Sequence, residues 1–546
     1  MKVLQAFKTG TPWIWLTGGA VSISLISVLM LLLLIGWKGL NYFWPAPLYQ
    51  WQTEQGQRLI GQLYASEAIS INHLHQLGIA AGDEERPVQR LNIKVANRER
   101  YDADFISILD SKLSAPIQPS GWLVMERTRD GQFFGKPVGF EPEDTQHPIE
   151  VVDWLAQAFA EAQQIRAQID HLVHQSIRPL GHQLEGLRIK KQQALKQPKN
   201  GQEVATLSQQ IQQVERDLFD AEQTLDQRRQ QLDSQALLVE EMGGEIVRIP
   251  LSHILDYWYP NDMNHGQKLR QWGKQLWRFL SDNPRESNSE GGVFPAIFGT
   301  VLLVLLMSII VMPLGVIAAV YLHEYAQDNP FTRLIRVAVI NLAGVPSIVY
   351  GVFGLGFFVY TIGSSIDNLF YSDRLPAPTF GTPGLLWASL TLAVLTLPVV
   401  IVTTEEGLTR IPASVRHGSL ALGATQFETI WRIVLPMASP AIITGLILAI
   451  ARAAGEVAPL MLVGAVKLAS NLPVDGEFPF VHLERKFMHL GFHIYDVGFQ
   501  TTNIEAARPL VYATAFLLVT VVVSLNLTAI HIRNNLREKY RTLGQD

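Results

Sequence analysis

The sequence predicts an all-α polytopic membrane protein: one N-terminal transmembrane anchor, a five-helix core, and a large α+β insert that contains a coiled-coil hairpin. Three observations predict it. Six stretches are apolar enough to cross a hydrocarbon layer, a long polar region separates the first from the other five, and Lys and Arg concentrate in alternate short loops. Crossing about 30 Å of hydrocarbon takes roughly 20 helical residues. The 546 residues are 48% hydrophobic with a formal net charge of −5, and that average conceals two unlike regions. Local charge, not net charge, decides what a membrane protein meets, and no nucleic-acid partner is indicated.

The first span is placed at 13–37, after a short tail at 1–12. Its uncharged run from Thr9 to Trp37 is too long for a signal peptide and shows no small-residue cleavage site, so it reads as an anchor. The polar region then divides into three. Residues 38–150 carry alternating stretches such as Arg90 to Val95 and Gly121 to Met125 with turn-rich joints, which indicate a mixed α/β region. Residues 151–241 are rich in Gln, Leu, Arg, Ala and Glu. Leu207, Ile211, Val214, Leu218, Ala221, Leu225 and Leu232 recur at steps of four and three, with Arg228 in the missing place. A second stripe runs through Ile165, Ile169, Leu172, Leu180, Leu184 and Leu187, and Lys196 to Gly201 supplies the turn, giving an antiparallel coiled-coil hairpin. Pro179 should kink its first arm. Residues 242–290 return toward the membrane through the strand-like Gly244 to Leu251 and the aromatics Trp258, Tyr259, Trp272 and Trp277, which fit an interfacial belt.

The core is placed at 291–532, with a tail at 533–546. Its spans are expected near Phe294 to Leu322, Val337 to Ile366, Leu385 to Thr404, Met437 to Val466 and Leu510 to Ile532. With the N-terminus inside, inner segments carry Lys2, Lys8, Arg333, Arg336, Arg410, Arg416, Arg432, Arg533, Arg537, Lys539 and Arg541. The short outer loops carry Arg374, Lys467, Arg485, Lys486 and Arg508. The positive-inside bias therefore puts both termini in the cytoplasm and the polar insert outside. Without Cys, that insert rests on packing and not on disulfides. No nucleotide-binding Gly-x4-Gly-Lys-Ser/Thr loop is present; Gly131 to Lys136 comes nearest and is one residue short, so the chain does not hydrolyse ATP by itself.

The segment 405–436 is polar and Gly-punctuated between two apolar runs. Ala421, Leu422 and Gly423 end one short helix, because Gly supplies a left-handed cap at little cost. Thr425-x-x-Glu428 opens another as a capping box. The resulting helix, hinge and helix can sit in a groove of a second protein and carry its movement into the flanking spans. Within the spans as placed, Arg452 and Glu456 are the only charged residues, with Arg452 near the middle of its helix and Glu456 one turn on, along the same face. An Arg at that depth costs about 2.5–3.5 kcal/mol on insertion scales and calls for a partner or an aqueous cavity. The pair at i, i+4 adds only about 0.2–0.5 kcal/mol to a helix, which is a poor reason for both. A guanidinium facing a pathway can bind a tetrahedral oxyanion through paired hydrogen bonds.

The spacing Gly423-x9-Ile433-x-Leu435-Pro436 resembles the coupling loop of permease subunits of ATP-binding-cassette importers. His417, Gly418 and Ser419 stand where that pattern has Glu-Ala-Ala. Ala451 to Leu460, Val320 to Ala326, Gly344 to Gly351 and Ser419 to Thr425 resemble the A-type permease of the phosphate uptake (Pst) system over roughly Leu280 to Tyr540. The resemblance implies a type I importer permease core in a bacterial inner membrane, paired with a sister permease, two cytoplasmic ATPase subunits and a periplasmic phosphate-binding protein. It implies that Arg452 and Glu456 serve phosphate passage, and that Gly418, Ser419, Leu420, Ala421, Leu422, Gly423, Ala424, Thr425, Glu428, Leu435 and Pro436 couple to the ATPase. No cofactor, catalytic residue or metal site is expected: His489 and His493 have the i, i+4 spacing of zinc ligands, but His482 is not clearly placed as a third. His323, Glu324 and Tyr325 begin an inner loop that reads as solvated, with contact to the ATPase as the alternative. Rival readings are a permease for another oxyanion, an ion-coupled secondary carrier, which predicts inverted repeats that are not evident, and a sensory protein signalling through the hairpin.

Overall fold

The computed structural model describes residues 11–69, 88–101, 104–141, 150–195, 201–285, 290–372, 375–469, 471–476, 478–501 and 504–542. Lys2, Lys8, Arg374, the turn at 196–200 and the end of the C-terminal tail lie outside the described residues. The chain divides into two compact units, Trp44–Gln275 and the combination of Met1–Phe43 with Leu276–Asp546.

The first unit is built on two antiparallel sheets. Strands β1 (Tyr49–Gln52), β2 (Arg58–Ala68), β3 (Gln89–Lys94) and β4 (Phe105–Leu109) pair in sequence order. Strands β5 (Leu123–Arg127), β6 (Gln132–Glu141), β7 (Ala236–Glu240), β8 (Ile246–Pro250) and β9 (Ile254–Trp258) form the second sheet in the order β8-β7-β6-β5-β9. Successive strand residues point to opposite faces, and both faces of the second sheet are covered. Leu123, Met125, Phe133, Leu237 and Val239 pack on one side with Leu155, Phe159 and Ile165. Val124, Phe134 and Trp258 pack on the other with Trp51, Ile60 and Ile93 of the first sheet. Two-sided burial explains why Trp122 to Met125 is apolar without interruption. It also corrects the belt expected for Trp258, which is a core residue only 4% exposed.

Between β6 and β7 the chain leaves as helices. Helix α1 belongs to the other unit (Thr11–Asn41), and here α2 (Val151–Leu172) runs through a π turn at Val173–Ile177 into α3 (Arg178–Leu195), with α4 (Gly201–Ser234) returning. The π turn lies where Pro179 removes a donor and its ring meets the carbonyl four residues back. Leu184, Ile211 and Val214 form the seam of α3 and α4, flanked by Leu180, Leu187 and Leu218. The second arm ends at Ser234, so residues 236–240, expected as its tail, are instead a central strand of the sheet. A segment this short has no periodicity that separates strand from helix.

The second unit holds all six helices that are long and apolar enough to cross a membrane among the described residues: α1, α6 (Phe294–Tyr325), α8 (Ser347–Phe370), α9 (Leu385–Thr409), α11 (Gln426–Gly455) and α14 (Ile504–Thr542, apolar over Ala507–Asn535). The amphipathic α5 (His265–Ser281) precedes α6 and leaves Trp277 exposed. Helix α9 is the centre, with 67% of its apolar window buried, against none for α1. Leu303, Val304 and Met307 of α6 meet Leu392 and Val400 of α9 and Ala449 and Ala453 of α11. Close approach depends on small residues, as in membrane helix pairs generally: a Cβ on Gly445 would stand 2.1 Å from the Thr403 hydroxyl.

Two expected spans are broken. The span expected near Val337 to Ile366 is divided at Pro346: α7 (Pro330–Leu342) ends before it and α8 begins after it. A residue preceding Pro is pushed out of helical conformation. The span expected near Met437 to Val466 is divided as well. Helix α11 ends at Gly455, and α12 (Ala458–Val463) restarts with Pro459 in its first turn. The outer connection contains α13 (Leu490–Phe499).

The anchor α1 packs on α14 through Gly36 and Gly39. A Cβ on Gly39 would lie 2.9 Å from the Ala513 Cα and 3.0 Å from the Tyr512 carbonyl oxygen, and the Lys38 ammonium sits 5.1 Å from the Tyr512 ring centroid. Overpacking of this kind costs about 1–3 kcal/mol. Gly39→Leu is therefore expected to lower the thermal midpoint of the detergent-extracted protein, whereas Gly18→Leu, with nothing within 4 Å, leaves it unchanged.

His489 and His493 are buried around α13 and outside the six spans. His489 Nδ1 accepts the Gly491 amide at 3.1 Å and so caps α13. Burial pushes both imidazoles down to about 4. The unfolded chain protonates each near 6.5, so the stability gained by keeping them neutral is held above that pH and lost as pH falls toward 4, by about 1.4 kcal/mol per pH unit for each ring. Thermal unfolding between pH 7 and pH 5 should show this loss. His489→Asn, which keeps a capping side chain and removes one titration, should halve the slope.

Candidate functional site: a hinged tip joined to a broken helix

Helix α9 ends at Thr409, and Pro412 starts α10 (Ala413–Ala421). Gly423 takes φ +91°, its amide donates to the Leu420 carbonyl at 3.0 Å, and the Ala424 amide donates to the Ser419 carbonyl at 3.3 Å. These bonds satisfy carbonyls that the end of a helix leaves open. Thr425 then caps α11 as the sequence predicts: the Glu428 amide donates to its hydroxyl at 3.2 Å, and its own amide donates to the Glu428 carboxylate at 3.0 Å. The Ser419 and Thr429 hydroxyls meet at 2.8 Å inside the turn and tie α10 to α11.

The expected coupling residues therefore divide by position. Gly418, Leu420, Ala421, Leu422, Gly423 and Thr425 are exposed, Leu422 at 92%. Ser419 is buried, and Ala424 and Glu428 are half-buried. Leu435 packs against the apolar cluster of Leu408, Ile411 and Val434, and with Pro436 it belongs to the root of α11. His417 is exposed. Phe427 and Trp431 stack with ring centroids 6.2 Å apart, and both are more than 60% exposed. The apolar tip is thus held from within by hydrogen bonds and leaves its side chains uncovered.

Helix α11 runs from the tip to Arg452, which lies in its last turn and not near the middle of a helix. Glu456 has an extended backbone, φ −79° and ψ 132°, so the two charges face each other across the helix end, with Nε and Oε1 3.6 Å apart. Gly455 and Pro459 explain the break, one for lack of helix propensity and the other for lack of a donor. The side chains are 29% and 19% exposed. Five N–H donors project from a guanidinium, and Glu456 is the one carboxylate paired with Arg452 among the described residues. The end of α11 also favours a cation, because its last carbonyls carry partial negative charge.

Sequence reading missed Tyr350. It lies in the first turn of α8 and donates its hydroxyl to the Leu342 carbonyl at 2.6 Å. A Cβ on the next residue, Gly351, would lie 2.7 Å from the Pro459 Cα. The opening turn of α8 therefore packs against α12 beside the charged pair. The sequence marks Glu324 as a loop residue but not its partner: it is half-buried and paired with Arg416.

Residues 311–537 match the model of the family described as binding-protein-dependent transport system inner membrane component. The phosphate transport system permease protein PstA 1 of Mycobacterium tuberculosis (strain CDC 1551 / Oshkosh) is 34% identical over 244 residues, covering 44% of this chain and 71% of its own. A probable ABC transporter permease of Bacillus subtilis (strain 168), YqgI, is 30% identical over 252 residues, 45% of this chain and 80% of its own. The phosphate transport system permease protein PstA of Yersinia pestis is 36% identical over 190 residues, 35% of this chain and 58% of its own. Among solved structures, an inward-facing MetNI methionine ABC transporter covers 48% of this chain and 98% of its own at 20% identity, with a TM-score of 0.33. The chain belongs to the binding-protein-dependent transport system inner membrane component family, alongside the PstA permeases, and is a multi-pass transport component rather than an enzyme.

Proposed function

We propose that the chain is the permease subunit of an ATP-driven phosphate importer and lines half of its pathway. The observation that carries the reading is the continuous α11, which runs from a hinged, solvent-facing tip to a charged pair at a helix break. The tip, Gly418 to Glu428 with its root at Leu435 and Pro436, docks on a cytoplasmic ATPase. Two such ATPases, a sister permease and a periplasmic phosphate-binding protein complete the assembly. The positive-inside bias supports termini and tip in the cytoplasm of a bacterial inner membrane. The same bias supports a periplasmic place for the insert with its coiled-coil hairpin. Phosphate as substrate is supported by the similarity to PstA permeases.

The chemistry of passage follows from the pair. When no anion is present, Glu456 holds the guanidinium in place. An arriving oxyanion competes for the remaining N–H donors, and charge-assisted bonds of about 1.5–3 kcal/mol bind it without a metal. Because Glu456 stays nearby, the site holds the anion only moderately and lets it leave.

Phosphate uptake into proteoliposomes containing the full partner set tests this reading. Arg452→Ala is expected to reduce ATP-dependent uptake at least about tenfold, the loss of one charge-assisted pair. Arg452→Lys, which keeps a point charge but not the planar fork, should fall between. Unchanged uptake in both variants contradicts the assignment. Uptake that persists without any ATPase indicates the ion-coupled carrier, and sulfate competing as well as phosphate indicates another oxyanion.

A further inference from the structure

Helix α6 ends in a π turn, Tyr321–Tyr325, in which the Ala326 amide reaches back five residues to the Tyr321 carbonyl at 2.8 Å. The wider turn leaves the Leu322 carbonyl without a helical donor, and Arg336 of α7 donates to it at 2.7 Å. Arg336 also lies 3.6 Å from the Glu405 carboxylate of α9. The next polar residues continue the pattern. His323 contacts the Thr409 hydroxyl at 3.2 Å through Nε2 and the Glu324 carboxylate at 3.1 Å through Nδ1.

Glu324 is the hub. Its Oε1 accepts from Arg416 Nε at 3.1 Å and Nη2 at 2.8 Å. The same guanidinium donates to the Ile411 carbonyl at 2.7 Å and the Leu408 carbonyl at 3.0 Å. Arg416 thus closes the end of α9 while gripping the end of α6 from within α10. A planar fork can do this and an ammonium cannot. The side chains are 11% and 19% exposed. Val316 and Val320 of α6 pack beneath them with Leu408 and Ile411.

We propose that Glu324 and Arg416 are positioning residues that lock the end of α6 to the tip, so that tip movement drives α6 together with α11. The inference rests on the proposed ATPase docking at the tip. Helix α11 alone would move one wall of the core. The brace moves two, and α9, held at its end by the same guanidinium, moves with them. Losing one partner of this half-buried pair leaves the other charge without its counter-charge, and the consequence here is slack in transmission.

The test uses the complete complex in proteoliposomes and reads phosphate transported per ATP hydrolysed. Glu324→Gln and Arg416→Lys are expected to assemble and hydrolyse ATP, with that ratio about fivefold or more below wild type. The double variant should be no worse than either single, because the two act as one unit. A second arm uses the absence of Cys in the chain. Glu324→Cys with Arg416→Cys should be uncoupled when reduced and should recover coupling when bridged by a short bifunctional thiol reagent. A role in folding alone gives no such recovery.

Wild-type ratios in both single variants, additive losses in the double, or no recovery on bridging overturn the brace. If Glu324→Gln fails to assemble, bridging the Cys pair in membranes before extraction decides the question: recovered assembly and coupling support the brace, and their absence overturns it. A wild-type complex without ATP-driven phosphate uptake would instead overturn the functional reading beneath it.

Discussion

In hydrocarbon no water is available to satisfy a backbone amide, a carbonyl or a charge, so every break in a spanning helix has to be answered by the chain itself. This constraint organises the membrane unit. The same need is met at span ends next to the tip: where α6 loosens into a π turn, Arg336 takes the Leu322 carbonyl. Where α9 ends, Arg416 takes two carbonyls. Where α7 stops before Pro346, Tyr350 donates to the Leu342 carbonyl. Where α11 stops, Arg452 and Glu456 stand across the gap. The polar side chains of the core are placed by the backbone's needs first, and the candidate pathway is built at a break that leaves donors to spare.

Rigid connection follows from packing. Small residues let α9 approach α11 closely, as the contact between Gly445 and Thr403 shows, and α9 is buried along most of its length. A helix gripped this way transmits displacement along its axis with little loss, since packed interiors resist deformation. The tip is the opposite kind of element. Gly423 and the Thr425 capping box fix its backbone, while Leu422, Phe427 and Trp431 remain uncovered. A fixed backbone presenting bare apolar side chains is suited to receive a partner, and α11 is suited to pass the movement on.

Local features were legible in the sequence, and relations between distant residues were not. The apolar runs, the left-handed Gly423 and the Thr425–Glu428 capping box all depend on a few adjacent residues. The end of α11 was missed because Gly455 and Pro459 are both tolerated inside spans, and hydropathy does not register a break that remains apolar. The closure of the second sheet was missed because β5 and β6 pair with strands that return after a long helical excursion. Glu324 looked like a solvated loop residue because Arg416, which buries it, lies 92 positions away. Charge patterning reports where a residue sits along the chain and says nothing of which charge it meets.

The proposed function requires the tip to lie on the side of the membrane where ATP is hydrolysed, and the proposed topology puts the insert on the other side. Labelling of single cysteines with a membrane-impermeant thiol reagent tests it most directly, in a chain that has no cysteine of its own. Asp220→Cys, on the exposed surface of α4, should react in intact spheroplasts. Leu422→Cys, at the exposed tip, should react only in inverted vesicles or after permeabilisation. Reaction of both from the same side would contradict the account.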